Sequence, residues 1–303
     1  MPASAADAPC PEQAFNATAL KWHTCAWLLL PVLVFLAGWM HWYAALPLML
    51  LTAAGLAPRK RKEPQTRDSL PAFPLFTRSS FLALAAFAAL MTLSGWGEWV
   101  NQHPDHIVRN ACLRELVASP WPVIFPDGNM LVYNTGFWLV PALAGKLAGL
   151  DAARVFVVLW GTWGLFLTWL WLCVFSGRRS LLLALLMAAF GSLLNFQCWL
   201  GLDLFRLHYF GTAEQIMCSA NASIPVLLFF IFLASGRMPL PWIPLLFAAT
   251  AFYSPLAALG GLPLAACQWY RQWRGVPPLR DILLHPSFSA SVLLGVCFLL
   301  YYG

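Results

Sequence analysis

The run at residues 153–175, "ARVFVVLWGTWGLFLTWLWLCVF", carries one charged residue, Arg154, in 23 positions. A helix of that length rises about 35 Å, enough to cross the roughly 30 Å hydrocarbon core of a bilayer. The run is continuously apolar and does not alternate, which excludes a barrel strand. In lipid, a helix satisfies every backbone N–H and C=O within one segment. Comparable runs fall at about 24–40, 42–57, 78–95, 180–197, 222–236, 239–252, 254–269 and 286–302. Several hold nearer 15 residues than 20, which implies local bilayer thinning or helices buried among others. The expected fold is an all-α, polytopic transmembrane helical bundle of about nine spans. Composition agrees: the 303 residues are 60% hydrophobic and only 10% charged, against roughly 25% charged in soluble domains.

The organisation read from these runs is a disordered cytoplasmic tail at 1–23, a transmembrane hairpin at 24–57 and a basic cytoplasmic loop at 58–77. A bundle over 78–303 follows, with external loops at 96–152 and 198–221. The first 20 residues hold two acids, no base and no apolar core, so no cleavable signal peptide is read there. Orientation follows from the basic residues. Lys21, the "RKRK" at 59–62, Arg67, Arg78, Arg178, Arg179, Arg237, Arg271, Arg274 and Arg280 fall on one side, which makes 13 of the 18. Arg109, Arg114, Lys146, Arg154 and Arg206 fall on the other. The bias makes the first side cytoplasmic, the N-terminus included.

The same count decides an ambiguous segment, "GFWLVPALAGKLAGL" at 136–150. A crossing there would put Arg178 and Arg179 outside. It is therefore read as an amphipathic or re-entrant helix on the outer surface, with Lys146 reaching toward headgroups. Parity also splits 239–269 near Ser254-Pro255 into two short crossings or one re-entrant hairpin.

Against this apolar background stands "GWGEWVNQHPDHIVRNACLREL" at 95–116, with five charged side chains and two of the six histidines. Pro104 suits the first position of a helix. Ile107, Val108, Ala111, Cys112 and Leu116 then form an apolar stripe, and Asp105, His106, Arg109, Asn110 and Arg114 gather on the other face. Two readings stand together. In one, this is a solvated face, with Asp105 favouring the helix start and pairing with Arg109. In the other it is a membrane-surface active site. Asp105 is the base, and His106, Arg109, Asn110, Arg114 and Lys146 bind a phosphorylated substrate. Glu98 is either a second carboxylate or an interfacial charge.

No cofactor is required by this pattern. A divalent metal ion at His103, Asp105 and His106 is the weaker expectation, because adjacent helical residues diverge and no other His/Cys cluster completes a site. Asp203, Arg206, His208 and Glu214 in the second loop either line the same cavity or solvate it. A Cys198–Cys218 disulfide is a further, weaker expectation. Nucleotide-binding, serine-hydrolase and nucleic-acid motifs are absent. The spans carry almost no charge, which argues against an ion-coupled pump.

The arrangement resembles the GT-C superfamily of integral-membrane glycosyltransferases, and more closely its bacterial multispanning relatives. In those, a "WD…HN..LRDL…WPV" run leads into "YY.G..L.PAL.GK". The matching residues here are Asp105-His106, Asn110, "LREL" at 113–116, "WPV" at 121–123, Tyr133, Gly136, "PAL" at 141–143 and Gly145-Lys146. "YSPLAALGGLPL" at 253–264 is similar to a recurrent later segment. The acid stands beside histidine here, where many members carry paired acids. The resemblance implies Asp105 as the loop acid and a polyprenyl-phosphate-linked sugar as donor. The implied reaction transfers that sugar to an extracytoplasmic acceptor, in contact with membrane lipids and without nucleic acid. The alternative is a lipid or polymer translocase, or a non-catalytic membrane assembly subunit, using the same loop for binding.

Overall fold

The computed structural model describes residues 17–57, 77–100, 102–190, 211–274 and 278–302. Among them the chain is all-helical. The helices are α1 (Ala17–Trp39), α2 (Trp42–Leu56), α3 (Arg78–Leu93), α4 (Pro104–Ala118), α5 (Gly136–Ala148) and α6 (Leu150–Ser176). They continue with α7 (Leu181–Ala189), α8 (Thr212–Ala234), α9 (Trp242–Tyr253), α10 (Pro255–Trp273), α11 (Leu279–Leu283) and α12 (Pro286–Tyr302). The basic stretch at 59–62, Arg67, Cys198, Asp203, Arg206 and His208 lie outside the described residues, and with them the expected disulfide.

Three helices are long and apolar enough to cross a membrane: 18–39, 150–176 and 212–234, of 22, 27 and 23 residues. Five shorter apolar helices accompany them: α2, α3, α5, α9 and α12. The chain turns where the sequence predicted between α9 and α10. Ser254 caps α10 by accepting from Ala257 N at 3.3 Å, and Pro255 takes the first helical position.

Helix α6 is the axis of the core and packs against α1, α3, α5 and α8. Because lipid tails are as apolar as leucine, close packing and hydrogen bonds must hold such helices together. At Gly164 a Cβ would meet Ile224 Cγ2 at 2.6 Å and Trp27 Cζ2 at 2.7 Å, so only glycine admits α1 and α8 this near. Trp27 stacks between Trp160, at 5.1 Å, and Tyr253, at 5.5 Å. Its indole N–H donates to Trp160 O at 3.0 Å, and the Tyr253 hydroxyl donates to Trp27 O at 2.7 Å. Trp27 and Tyr253 thus bury apolar bulk while satisfying their polar ends.

Helix α5 differs from the outer-surface helix read at 136–150. It packs on α1, α4, α6 and α8, and Gly136 through Ala142 are buried. With Lys146 as its one charge, near its last turn, nothing prevents the rest of the helix from entering the bundle. Helix α8 begins at Thr212, inside the segment read as an external loop at 198–221.

Candidate functional site

The polar segment folds as predicted at its start. Pro104 opens α4, and His103 Nδ1 caps it by accepting from Asp105 N at 3.3 Å. The face that turns inward differs from the expected one. His106, Arg109, Cys112, Leu113 and Leu116 are buried, while Ile107 and Val108 are 69% and 58% exposed. A spacing of three, four and three residues is as helical as the apolar stripe, so periodicity permits either face. The partners decide between them.

Those partners come from α8, which breaks at Ser219 (φ −150°, ψ 43°). A broken helix leaves the carbonyls before the break short of their donors four residues on. Three successive carbonyls receive side chains instead. Ser223 Oγ donates to Gln215 O at 3.3 Å, Trp96 Nε1 to Ile216 O at 2.8 Å, and His106 Nε2 to Met217 O at 2.8 Å. Donation to a carbonyl fixes the hydrogen of His106 on Nε2. Burial, the largest effect, holds its imidazole below the ordinary value, so the ring is neutral at pH 7. The hydrogen bond to Met217 opposes that shift, and the nearby Arg109 charge adds to it.

Arg109 enters the same junction. Its Nη2 donates to Ser219 Oγ at 3.1 Å and lies 3.8 Å from Asp105 Oδ2. Its guanidinium sits 5.9 Å from the Trp96 ring centre, a cation–π contact. Its Nε and Nη1 are buried and have no hydrogen-bond partner. Asp105 is half-exposed, so a carboxylate open to solvent stands beside a buried cation with unused donors.

The second acidic residue has a larger part than the sequence reading gave it. Glu98 Oε2 accepts from Arg114 Nη2 at 2.6 Å and from Arg154 Nη2 at 2.5 Å. Arg154 Nη1 also donates to Asp151 Oδ1 at 2.8 Å. Glu98 thus joins α4 to the first turn of α6. Burial penalises its charge, but the two arginine hydrogen bonds outweigh that and hold the carboxyl below its ordinary range. Its backbone has φ 65°, between Gly97 at 92° and Trp99, a conformation uncommon outside glycine. Arg154 and Asp151, three residues apart at the start of a span, were the available sequence signal for this network.

The remaining candidates separate. Asn110 Nδ2 donates to Gln102 Oε1 at 2.7 Å, and Gln102 Nε2 donates to Gly95 O at 2.7 Å. Both bonds brace the approach to α4. Lys146 is bound at the opposite end of α4, where its Nζ donates to Ser119 O at 2.6 Å. Fourteen helical residues separate Asp105 from Ser119, about 21 Å, so the two ends do not form one site. Glu214 lies in the first turn of α8. Among the described residues no group of three His, Cys, Asp or Glu side chains is placed to hold a metal ion. His103, Asp105 and His106 do not fit one, because His106 commits Nε2 to Met217 and its ring lies 5.0 Å from that of Trp96.

Set beside known family descriptions, curated proteins and solved structures, the chain matches none, so its chemistry is argued from this geometry.

Proposed function

We propose that this is a multispanning membrane glycosyltransferase of GT-C type, crossing a bacterial inner membrane about nine times with its N-terminus in the cytoplasm. It transfers a sugar from a polyprenyl-phosphate donor to an extracytoplasmic acceptor. One observation carries the reading: an exposed Asp105 carboxylate lies 3.8 Å from Arg109, whose Nε and Nη1 are left without partners by the fold. Two unmade buried donors on one guanidinium, beside an open carboxylate, leave capacity for an anionic ligand.

In the proposed step, Asp105 takes the proton of the acceptor hydroxyl as that oxygen bonds the anomeric carbon. The bond from the anomeric carbon to the phosphate oxygen breaks, and polyprenyl phosphate leaves with the electron pair. Arg109 stabilises the charge gathering on that phosphate. Arg114, half-exposed and tied to Glu98 through Nη2, is a further cation on the same helix for the departing phosphate. The reaction needs no metal in this form.

Asp105→Asn in a strain whose surface glycan depends on this gene tests the reading. Loss of the glycan at normal protein level is expected, and an unchanged glycan refutes it.

A second reading has its own support, because His106 and Arg114 already have structural partners in Met217 and Glu98. In a translocase or non-catalytic assembly subunit, the cluster only joins α4 to the broken helix. Function retained in an Asp105→Asn/Arg109→Met double variant would select it.

A further inference from the structure

Helix α10 is the least covered helix of its length in the bundle. Only Ala258 and Ala265 are buried along its 19 residues, where it meets α8 and α9. Leu256, Gly260, Leu264, Cys267 and Arg271 are all exposed and follow one another at steps of three or four, which makes one continuous stripe along the helix. Arg274, also exposed, caps α10 in a left-handed conformation just past its last turn. The stripe is apolar in its upper part, with a dip at Gly260, where an added Cβ would meet nothing within 4 Å. Its lower end is cationic.

Leu256 to Cys267 spans eleven steps, about 16 Å, close to the roughly 15 Å depth of one leaflet's hydrocarbon. Around the cationic end, Trp269 and Trp273 stack at 5.6 Å, and Tyr270 is 63% exposed. Tryptophan and tyrosine gather at the headgroup layer in this way. Arg271 and Arg274 have no carboxylate partner among the described residues. An apolar track of leaflet depth that ends in two unneutralised arginines is complementary to one kind of molecule.

We infer that α10 binds a single anionic phospholipid. One acyl chain lies along Leu256, Gly260, Leu264 and Cys267, and the phosphate sits between Arg271 and Arg274. The inference needs α10 to face lipid and is independent of Asp105 and the sugar-transfer reading.

The test is native mass spectrometry of the full chain in detergent, titrated with phosphatidylglycerol or phosphatidylcholine of identical acyl chains. An arginine near an anionic lipid surface is worth about fivefold in affinity. Wild type should therefore retain phosphatidylglycerol over phosphatidylcholine by more than tenfold. R271Q/R274Q should bring the ratio near one, while R78Q, an exposed arginine on α3, leaves it unchanged. Gly260→Phe should fill the track and lower retention of both lipids, which separates the chain contact from the headgroup contact. Equal retention of the two lipids by wild type, or a preference that survives R271Q/R274Q, overturns the inference. A lipid-free dimer that persists in R271Q/R274Q also overturns it, because a second copy would then cover this face.

Discussion

Helix α4 carries two acid–arginine groupings that the fold treats in opposite ways. At Glu98 the carboxylate is 10% exposed and bound by two arginines within 2.6 Å. At Asp105 the carboxylate is 51% exposed, 3.8 Å from its arginine, and it is the arginine that is buried. The first grouping spends its charge on holding α4 against α6. The second leaves an acid facing out and a cation facing in with donors unused. The Glu98 grouping is closed at Oε2, although Glu98 Oε1 and Arg154 Nε have no partner, and its charges brace the structure. At Asp105 the buried guanidinium keeps two donors free beside an open acid.

The largest expected effect comes from breaking the closed grouping. Glu98→Gln should leave Arg154 and Arg114 without their shared anion and cost about 3 kcal/mol, the lower end for a buried pair because Arg114 is half-exposed. Thermal unfolding in detergent would show this as a lowered Tm. Asp105→Asn should change the same stability by less than about 0.5 kcal/mol, as for other exposed pairs, while abolishing the proposed sugar transfer. Equal losses of stability at the two sites would erase the contrast.

Arg109→Met sharpens the comparison from the other side. It removes the cation, its two unpaired donors and its hydrogen bond to Ser219 Oγ but keeps a long apolar stem beside Trp96. Stability should stay within about 1 kcal/mol of wild type, since replacing poorly compensated buried charge is often neutral. Affinity for the proposed polyprenyl-phosphate donor should fall at least tenfold. A steep loss of stability instead would make Arg109 a structural splint for the α8 break.

The pH dependence divides the two regions again. Both groups have folded values below their ordinary ones, so each stabilises the fold at higher pH and loses that contribution as pH falls. For His106 the loss begins below its ordinary value of 6.5 and runs down through the lowered folded value. For Glu98 it begins below 4.5. Between pH 7 and 5.5 the Tm of wild type should therefore drop by more than that of His106→Gln, whose amide can still donate to Met217. Parallel curves would remove His106 from the junction's titration.

The sequence made α4, its Pro104 start and the Asp105–Arg109 pairing legible, because proline position and four-residue spacing are local properties. Which face turns inward was not legible. Choosing the most apolar stripe picks Ile107 and Val108, but a helix beside lipid can show those residues outward and keep its polar partners inside. The α8 break was only partly legible: Pro225 inside the helix signals an irregularity, but not that it falls at Ser219. Residues 217–223, "MCSANAS", contain neither glycine nor proline. Their serines and asparagine only hint at backbone competition. The role of Glu98 required Arg154 from 56 residues away, a pairing no local pattern contains.

The smallest effect belongs to Lys146, which ties the far end of α4 to α5. Its ammonium caps the helix by donating to Ser119 O at 2.6 Å and approaches Val117 O at 3.5 Å. It also lies 5.0 Å from the Trp121 ring centre. A cation at a helix C-terminus contributes about 0.3–1 kcal/mol when exposed, and Lys146 is exposed. Lys146→Met keeps the stem over Trp121 and removes only the charge. It should lower stability by under about 1 kcal/mol, with a loss that shrinks in salt, and should leave donor KM unchanged. A raised KM at unchanged Tm would mean that the substrate reaches from Asp105 along the whole of α4. The two ends of the helix would then belong to one extended binding surface.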